Sequence, residues 1–289
     1  MCIRSTLSTG YSVIPVQYST VSACPRGCVV YRLLLLWCLC CQALAQESLV
    51  VGWVNWQPFS FRNEQQQLRG LDVELLDAIF QRAGYQARFS EMPWARVLHE
   101  LQFGTIQVGM SANMTAERQQ YARFSHPYRE EETVIVVRRQ EAERWRGITT
   151  LDQLANTPDF HLGLLKGFDY GDTFRQLMTQ PDMQPRLQMR LRLEQLLKML
   201  QGGRIQGFIL DPHGLQEWRN QGTLPDDLHI LLRIELTPVH LMLSKESTTE
   251  AQLKRINQAI DQLKQSPDYQ QILDRYRFTP QHPSASQHP

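Results

Sequence analysis

Thr115 and Arg118 stand three residues apart in NMTAERQQYARFSHPY (residues 113–128). Threonine is a helix-capping residue, and the spacing predicts a short helix opening here. An arginine in a first helical turn meets the positive end of the helix dipole, which prefers Asp or Glu. That small penalty has a chemical use. Free backbone N–H groups at a helix start attract an anion, and a guanidinium fork matches a carboxylate. A solvated surface arginine fits the spacing equally well, so the residues alone leave both readings open. Asp211-Pro212 is a second polar landmark: Asp at an N-cap followed by Pro at the first helical position is a helix-start signature. Trp56 lies two residues before Pro58, with Phe59 and Phe61 beyond it, and offers aromatic surface to a core or to a ligand side chain. Asp169, after LLKG (residues 164–167) and Phe168, fits a cap on the following helix or an added negative charge. The 8 histidines contain no i, i+4 pair of ligand type, so no metal site is expected. No cofactor is expected either, because no phosphate-binding loop, dinucleotide fingerprint or G-x-S-x-G occurs.

The elements that position these groups follow from apolar periodicity. LVVGWV (49–54) predicts a buried strand. LDVELLDAIFQRAG predicts a helix with Leu71, Leu75, Leu76, Ile79, Phe80 and Ala83 on one face and Gly84 ending it. QARFSE is a short strand. PWARVLHELQFG is a helix with Pro93 at its first position, an apolar stripe from Trp94 to Leu101, and Gly104 as C-cap. TIQVGM and residues 133–137 read as strands, and the polar stretch around 140–147 as a boundary. A second set follows: a strand at 160–165, a helix near 171–179, a helix carrying Leu193, Leu196, Leu197 and Leu200, the strand IQGFIL (205–210), a short helix opening at Pro212, and the strand PVHLML (238–243). Two helices finish the chain, the first with Ser247 to Glu250 as a capping box. Alternating strands and helices in two sets of this size imply an α/β fold of two units.

Composition narrows the classes further. A net charge of +1 and a pI of about 7.7 leave no basic field for nucleic acid. All 6 cysteines (Cys2, Cys24, Cys28, Cys38, Cys40 and Cys41) precede residue 42. Arg32 precedes the apolar run LLLLWCLCC, and Ala43 and Ala45 follow at cleavage-site spacing. This predicts a secretory signal peptide within 1–45, cut after Ala45. Residues 1–28 are too polar for an ordinary leader, so the start is expected at Val29 or Val30. The mature chain then has no thiol, hence no disulfide and no Cys nucleophile. No later stretch approaches the length of a membrane span. A periplasmic product is expected.

Taken in order, PFSF (58–61), RGLDVELLDAIFQRAG, PWARVLHELQFGTIQVGMS, MTAERQQYARFSHPY, LDQLANT with LGLLKG, GGRIQGFILD and the closing YRF (276–278) resemble bacterial solute-binding protein family 3. These are periplasmic proteins serving polar amino-acid ABC transporters. The resemblance covers about Leu49 to Phe278. It implies a two-lobed, type II periplasmic-binding-protein fold, with two mixed sheets flanked by helices and two crossing strands near 133–139 and 234–241. Lobe one would comprise 46–136 plus 240–278 and lobe two 139–236, with a disordered tail at 279–289. Ligand would sit between the lobes, which close on it by hinge motion.

The resemblance also implies roles. Arg118, with Thr115, would hold the ligand's α-carboxylate, and Ser111 and Asn113 would supply polar contacts just before it. Asp211 would receive the α-ammonium, and Trp56 would lie against the ligand side chain. Phe168 and Asp169 stand where the family usually carries hydroxyl residues that clamp the carboxylate a second time, so that clamp is not implied here; Asp169 would cap the following helix or add negative charge that favours a cationic side chain or second amine. The expected function is a monomeric, non-enzymatic receptor delivering an amino acid or related zwitterion to an ABC permease. The alternative is an enzyme on the same scaffold, similar to cyclohexadienyl dehydratase, with Asp169 and Glu132 as the suspected acids. A sensor or lytic-transglycosylase module would need further segments that this chain is not expected to carry.

Overall fold

In a computed structural model, which describes residues 46–220 and 227–277, the apolar runs become strands of one sheet and the striped segments become the helices that cover it. The first set is β1 (Glu47–Trp53), the hairpin β2 (Phe61–Arg62) and β3 (Leu68–Arg69), α1 (Leu71–Ala83), β4 (Tyr85–Glu91), α2 (Trp94–Gln102), β5 (Val108–Ala112) and β6 (Ala122–Phe124). The long strand β7 (Arg129–Arg138) leads to α3 (Ala142–Trp145), α4 (Leu151–Ala155), β8 (Leu162–Leu165), α5 (Asp172–Met178), β9 (Leu187–Arg190) and α6 (Leu193–Gln201). Then come β10 (Gly207–Leu210), α7 (Pro212–Asn220), β11 (Leu228–Ser244), α8 (Glu250–Lys264) and α9 (Pro267–Arg275).

The strand order is β4-β1-β5-β11-β7-β10-β8-β9, with β6 pairing β11 off this path. β4, β1 and β5 are mutually parallel, as are β10, β8 and β9. Parallel neighbours need crossover connections, and helices supply them. β11 unites the two groups: Leu228 to Val239 pairs antiparallel with β7, and His240 to Ser244 pairs with β5 and β6. A single chain passage is therefore shared by both groups of strands, while β7 runs beside it.

Each group has its own core. Leu49, Val51, Leu75, Leu76, Ile79 and Phe80 pack with Ile256, Ile260 and Leu273 of the last two helices. In the other group Val134, Leu196, Leu200 and Phe208 cover one face, and Ile135, Phe160, Leu162 and Phe174 the other. A smaller cluster around Trp94, Val97 and Leu101 seats α2. Gly70, which begins α1, has φ +134°, and a Cβ there would fall 2.2 Å from the Phe59 carbonyl oxygen. No other residue type fits that approach.

Several boundaries differ from expectation, each for a local reason. Pro93 is the N-cap of α2, not its first residue, and Phe103 is the C-cap, with Gly104 one step beyond at φ +73°. The capping box of α8 is Thr249 with Gln252, not Ser247 with Glu250, because the helix begins at Glu250 and the residue before it takes the cap. Strand β7 begins at Arg129, since the charged run REEE pairs with β11 rather than forming a loop. β11 extends ten residues before Pro238. The turn at Arg118–Gln120 is a single 3₁₀ turn, not an α-helix. None of the helices among the described residues is long and apolar enough to cross a membrane. The signal peptide, its cleavage site and the tail at 279–289 lie outside the described residues.

Candidate functional site

The site gathers where β5 ends and the 3₁₀ turn begins. Ser111 has φ +61°, a conformation uncommon for a residue with a side chain. Its backbone N–H donates to Tyr128 Oη (3.1 Å) and its hydroxyl to Asp72 Oδ2. Asp72 in turn accepts from Arg129 Nε (2.5 Å) and Nη2 (2.8 Å). This ion pair is fully buried, with Asp72 0% and Arg129 3% exposed. Burial works against the Arg129 charge, but the Asp72 carboxylate outweighs it, and the guanidinium pKa rises well above its ordinary value.

Thr115 Oγ1 accepts the Arg118 backbone N–H at 3.2 Å, as a capping residue does. The Arg118 side chain is only 6% exposed. It curls back so that Nη1 donates to the Asn113 carbonyl (2.7 Å) and Nη2 to the Gly167 carbonyl (2.8 Å), over the face of Trp94 at 5.7 Å. Burial lowers its pKa from the usual arginine value, and Asp169 pulls the other way. Among the described residues no carboxylate forms an ion pair with it. Two of its five donors are used on carbonyls, which leaves capacity for an anion.

Asn113 bridges: Nδ2 donates to the Asp169 carbonyl at 2.9 Å, and Oδ1 lies 3.5 Å from Thr237 Oγ1. Trp56 stands 5.5 Å from Phe168 and 4.9 Å from Trp218, ring centre to ring centre. Phe168 reaches Trp94 (6.2 Å) and Tyr170 (6.3 Å) as well. Of these rings, Trp56, Trp94 and Phe168 line a cavity of about 40 Å³, together with Ser111, Asn113, Arg118, Glu131 and Asp169, among others. Beside it a larger groove of about 600 Å³ shares Val54, Trp56 and Phe168 as lining.

Six of the eight expected residues thus meet at one cavity: Arg118, Asn113, Ser111, Trp56, Phe168 and Asp169. Thr115 and Asp211 are not part of its lining. Thr115 acts from behind, through the turn. Asp211 caps α7, its Oδ1 accepting from the backbone N–H of His213 (2.7 Å) and Gly214 (3.2 Å). Its Oδ2 is buried and accepts no hydrogen bond from the described residues.

Two expectations need correction. Asp169 does not cap α5, whose N-cap is Gly171. Instead Asp169 Oδ1 accepts the Gly171 N–H (3.1 Å), and Oδ2 is ion-paired with Arg175, which also pairs with Asp172. Glu132 is not at the cavity: it pairs with Arg233. Consecutive strand residues face opposite sides, so its neighbour Glu131 lines the cavity in its place, beside Asp169. The suspected acid pair of the enzyme alternative is therefore taken up by Arg175 and Arg233. Glu131 and Trp94 were missed as site residues. Alternation along β7 could have found the first once the strand's start was known.

Residues 49–280 match the family described as bacterial extracellular solute-binding proteins, family 3. The chain belongs to that family. It is 22% identical over 228 residues to the probable histidine-binding protein of Neisseria gonorrhoeae, covering 76% of this chain and 78% of that one. Among solved structures it is similar to an ancestral arginine-binding protein bound to arginine, with 22% identity, a TM-score of 0.64, and 79% of this chain and 97% of that one covered. It is also similar to the substrate-binding protein of an ABC uptake transporter from Streptococcus pneumoniae with bound histidine: 21% identity, TM-score 0.64, 79% and 92% covered. At such identity the structural likeness shows the fold, that of type II periplasmic binding proteins. This family member is a solute-binding protein, and the relatives named here are binding proteins.

Proposed function

We propose that this protein is a periplasmic receptor that captures a free amino acid or related zwitterion at the Arg118 cavity and delivers it to an ABC permease. The observation that carries the reading is the buried Arg118 guanidinium, which lines the cavity and has no carboxylate partner among the described residues. A ligand carboxylate would supply the missing charge through a fork-matched contact. Asp211 Oδ2, buried and unbonded among the described residues, is suited to the ammonium, while Oδ1 keeps its capping role. The aromatic walls at Trp56 and Phe168 would hold the side chain. Named binding of histidine and arginine by the relatives supports the amino-acid class.

A cavity of about 40 Å³ has room for a few waters and not for an amino acid. The two groups of strands would therefore separate about β7 and β11 to admit a ligand, then close on it as monomers do in hinge proteins. Contacts of this number suffice for micromolar binding, which needs about −8 kcal/mol. A thermal-shift screen of the purified protein against the standard amino acids tests the reading, since a ligand bound only by the folded state raises its melting temperature. The expected result is a shift with one or a few amino acids that is lost in Arg118→Ala. An unchanged affinity in that variant would move the site elsewhere.

A further inference from the structure

Asp169, at the cavity, is ion-paired with Arg175, which it shares with Asp172; a second acid lines the same cavity. Glu131 lines the cavity with its side chain 19% exposed. Its ion-pair contact is Arg129, with Nη2 at 3.8 Å from Oε1. That guanidinium is already engaged by both oxygens of Asp72, so it compensates Glu131 only weakly. The other charged groups acting on Glu131 are Asp211 at the end of β10, Asp72 on α1 and His213 on α7. Asp211 itself keeps one buried oxygen without a donor among the described residues. The positive groups that these two carboxylates share are Arg129, already held by Asp72, and His213, whose Nδ1 lies 3.3 Å from Asp211 Oδ1. The walls that face the carboxylates are the aromatic rings of Trp56, Trp94 and Phe168, surfaces that attract a flat or desolvated cation.

We infer that Glu131 is the specificity-determining residue of this pocket, selecting a ligand whose side chain carries a positive charge in addition to its α-ammonium. The inference rests on the receptor reading above and adds to it the class of side chain. Arg118 and Asp211 treat all α-amino acids alike; Glu131 distinguishes among them. Its protonation then governs affinity. Burial, with repulsion from Asp211 and Asp72, raises the Glu131 carboxyl to about 7, against Arg129 and His213. The ionised form binds the cation, so affinity rises with pH through this range and levels off above it.

Isothermal titration of wild type, Glu131→Gln and Arg118→Ala with L-arginine, L-lysine, L-citrulline and L-glutamine at pH 6 and pH 8 tests the assignment. Wild type is expected to bind the better cationic ligand about tenfold or more tighter than the better neutral one at pH 8. Its affinity for the cation should rise roughly tenfold from pH 6 to pH 8, following the ionised fraction. Glu131→Gln should abolish both the preference and the pH dependence while keeping affinity for the neutral ligands. That retention separates specificity from mere misfolding. A preference that survives in Glu131→Gln, or a wild type that favours neutral ligands or only some other amino acid, overturns the inference alone. Wild type binding no standard amino acid, or Arg118→Ala binding as tightly as wild type, overturns the receptor reading itself.

Discussion

Arg118 and Arg129 lie eleven residues apart, both buried, and they are opposites. Arg129 meets both oxygens of Asp72 inside the protein. Arg118 meets two backbone carbonyls and, among the described residues, no carboxylate. Asp72 keeps the Arg129 charge firmly in place, whereas burial lowers the pKa of Arg118. A buried guanidinium whose anion is built in belongs to the scaffold. One whose anion is not built in is poised for a charge from outside. The first also supports the second, since Asp72 accepts from the Ser111 hydroxyl and so holds the strand end from which the Arg118 turn departs.

The sharpest way to break this contrast is Asp72→Ala. It strands the Arg129 charge in the core and should cost about 3–5 kcal/mol of folding stability, read by chemical denaturation. Arg118→Ala should do the reverse: cost little stability and weaken ligand binding by about 3 kcal/mol, roughly a hundredfold. Equal losses of stability in the two variants would erase the distinction. Asp211 offers a finer cut. Asp211→Ala should lose about 1 kcal/mol of capping together with the ammonium contact. Asp211→Asn keeps an acceptor for the cap, so it should lose affinity with little change in stability.

The last contrast, at Glu131, is one of pH dependence. Its folded pKa of about 7 exceeds the ordinary glutamate value, so the folded, ligand-free protein holds that proton more tightly than the unfolded chain. The resulting stability is complete below the unfolded pKa and is lost as pH rises toward 7. Glu131→Gln should therefore gain stability relative to wild type at pH 8 and show no such gain near pH 4, measured by paired melting curves. A constant difference across that range would mean the carboxyl is not raised.

What the sequence disclosed follows from how local each signal is. Helices α1 and α2 were legible because Leu75, Leu76, Ile79 and Phe80, or Val97 and Leu101, repeat at helical spacing and end near Gly84 and Gly104. The start of β7 was not, because its first residues are charged and become strand only by pairing with β11 far along the chain. The same holds at the site. Arg118 stood out from its own turn and the family resemblance, and Asp211 from its Pro. The Asp169–Arg175 pair and the Glu131 orientation depend on where a helix begins and which face a strand presents. An error of one residue exchanged Glu132 for Glu131.

The two hydrogen bonds from Arg118 to the Gly167 carbonyl and from Asn113 to the Asp169 carbonyl join residues 49 and 56 positions apart. Both run from the Arg118 turn to the loop that carries Phe168, along one side of the cavity. A solute arriving faster than they part must wait, so uptake at high concentration would be metered by the protein's own unclasping rather than by supply. A stopped-flow rate that climbs and then flattens with added solute would be the signature, and one that climbs without limit would show that the seam never needs to open.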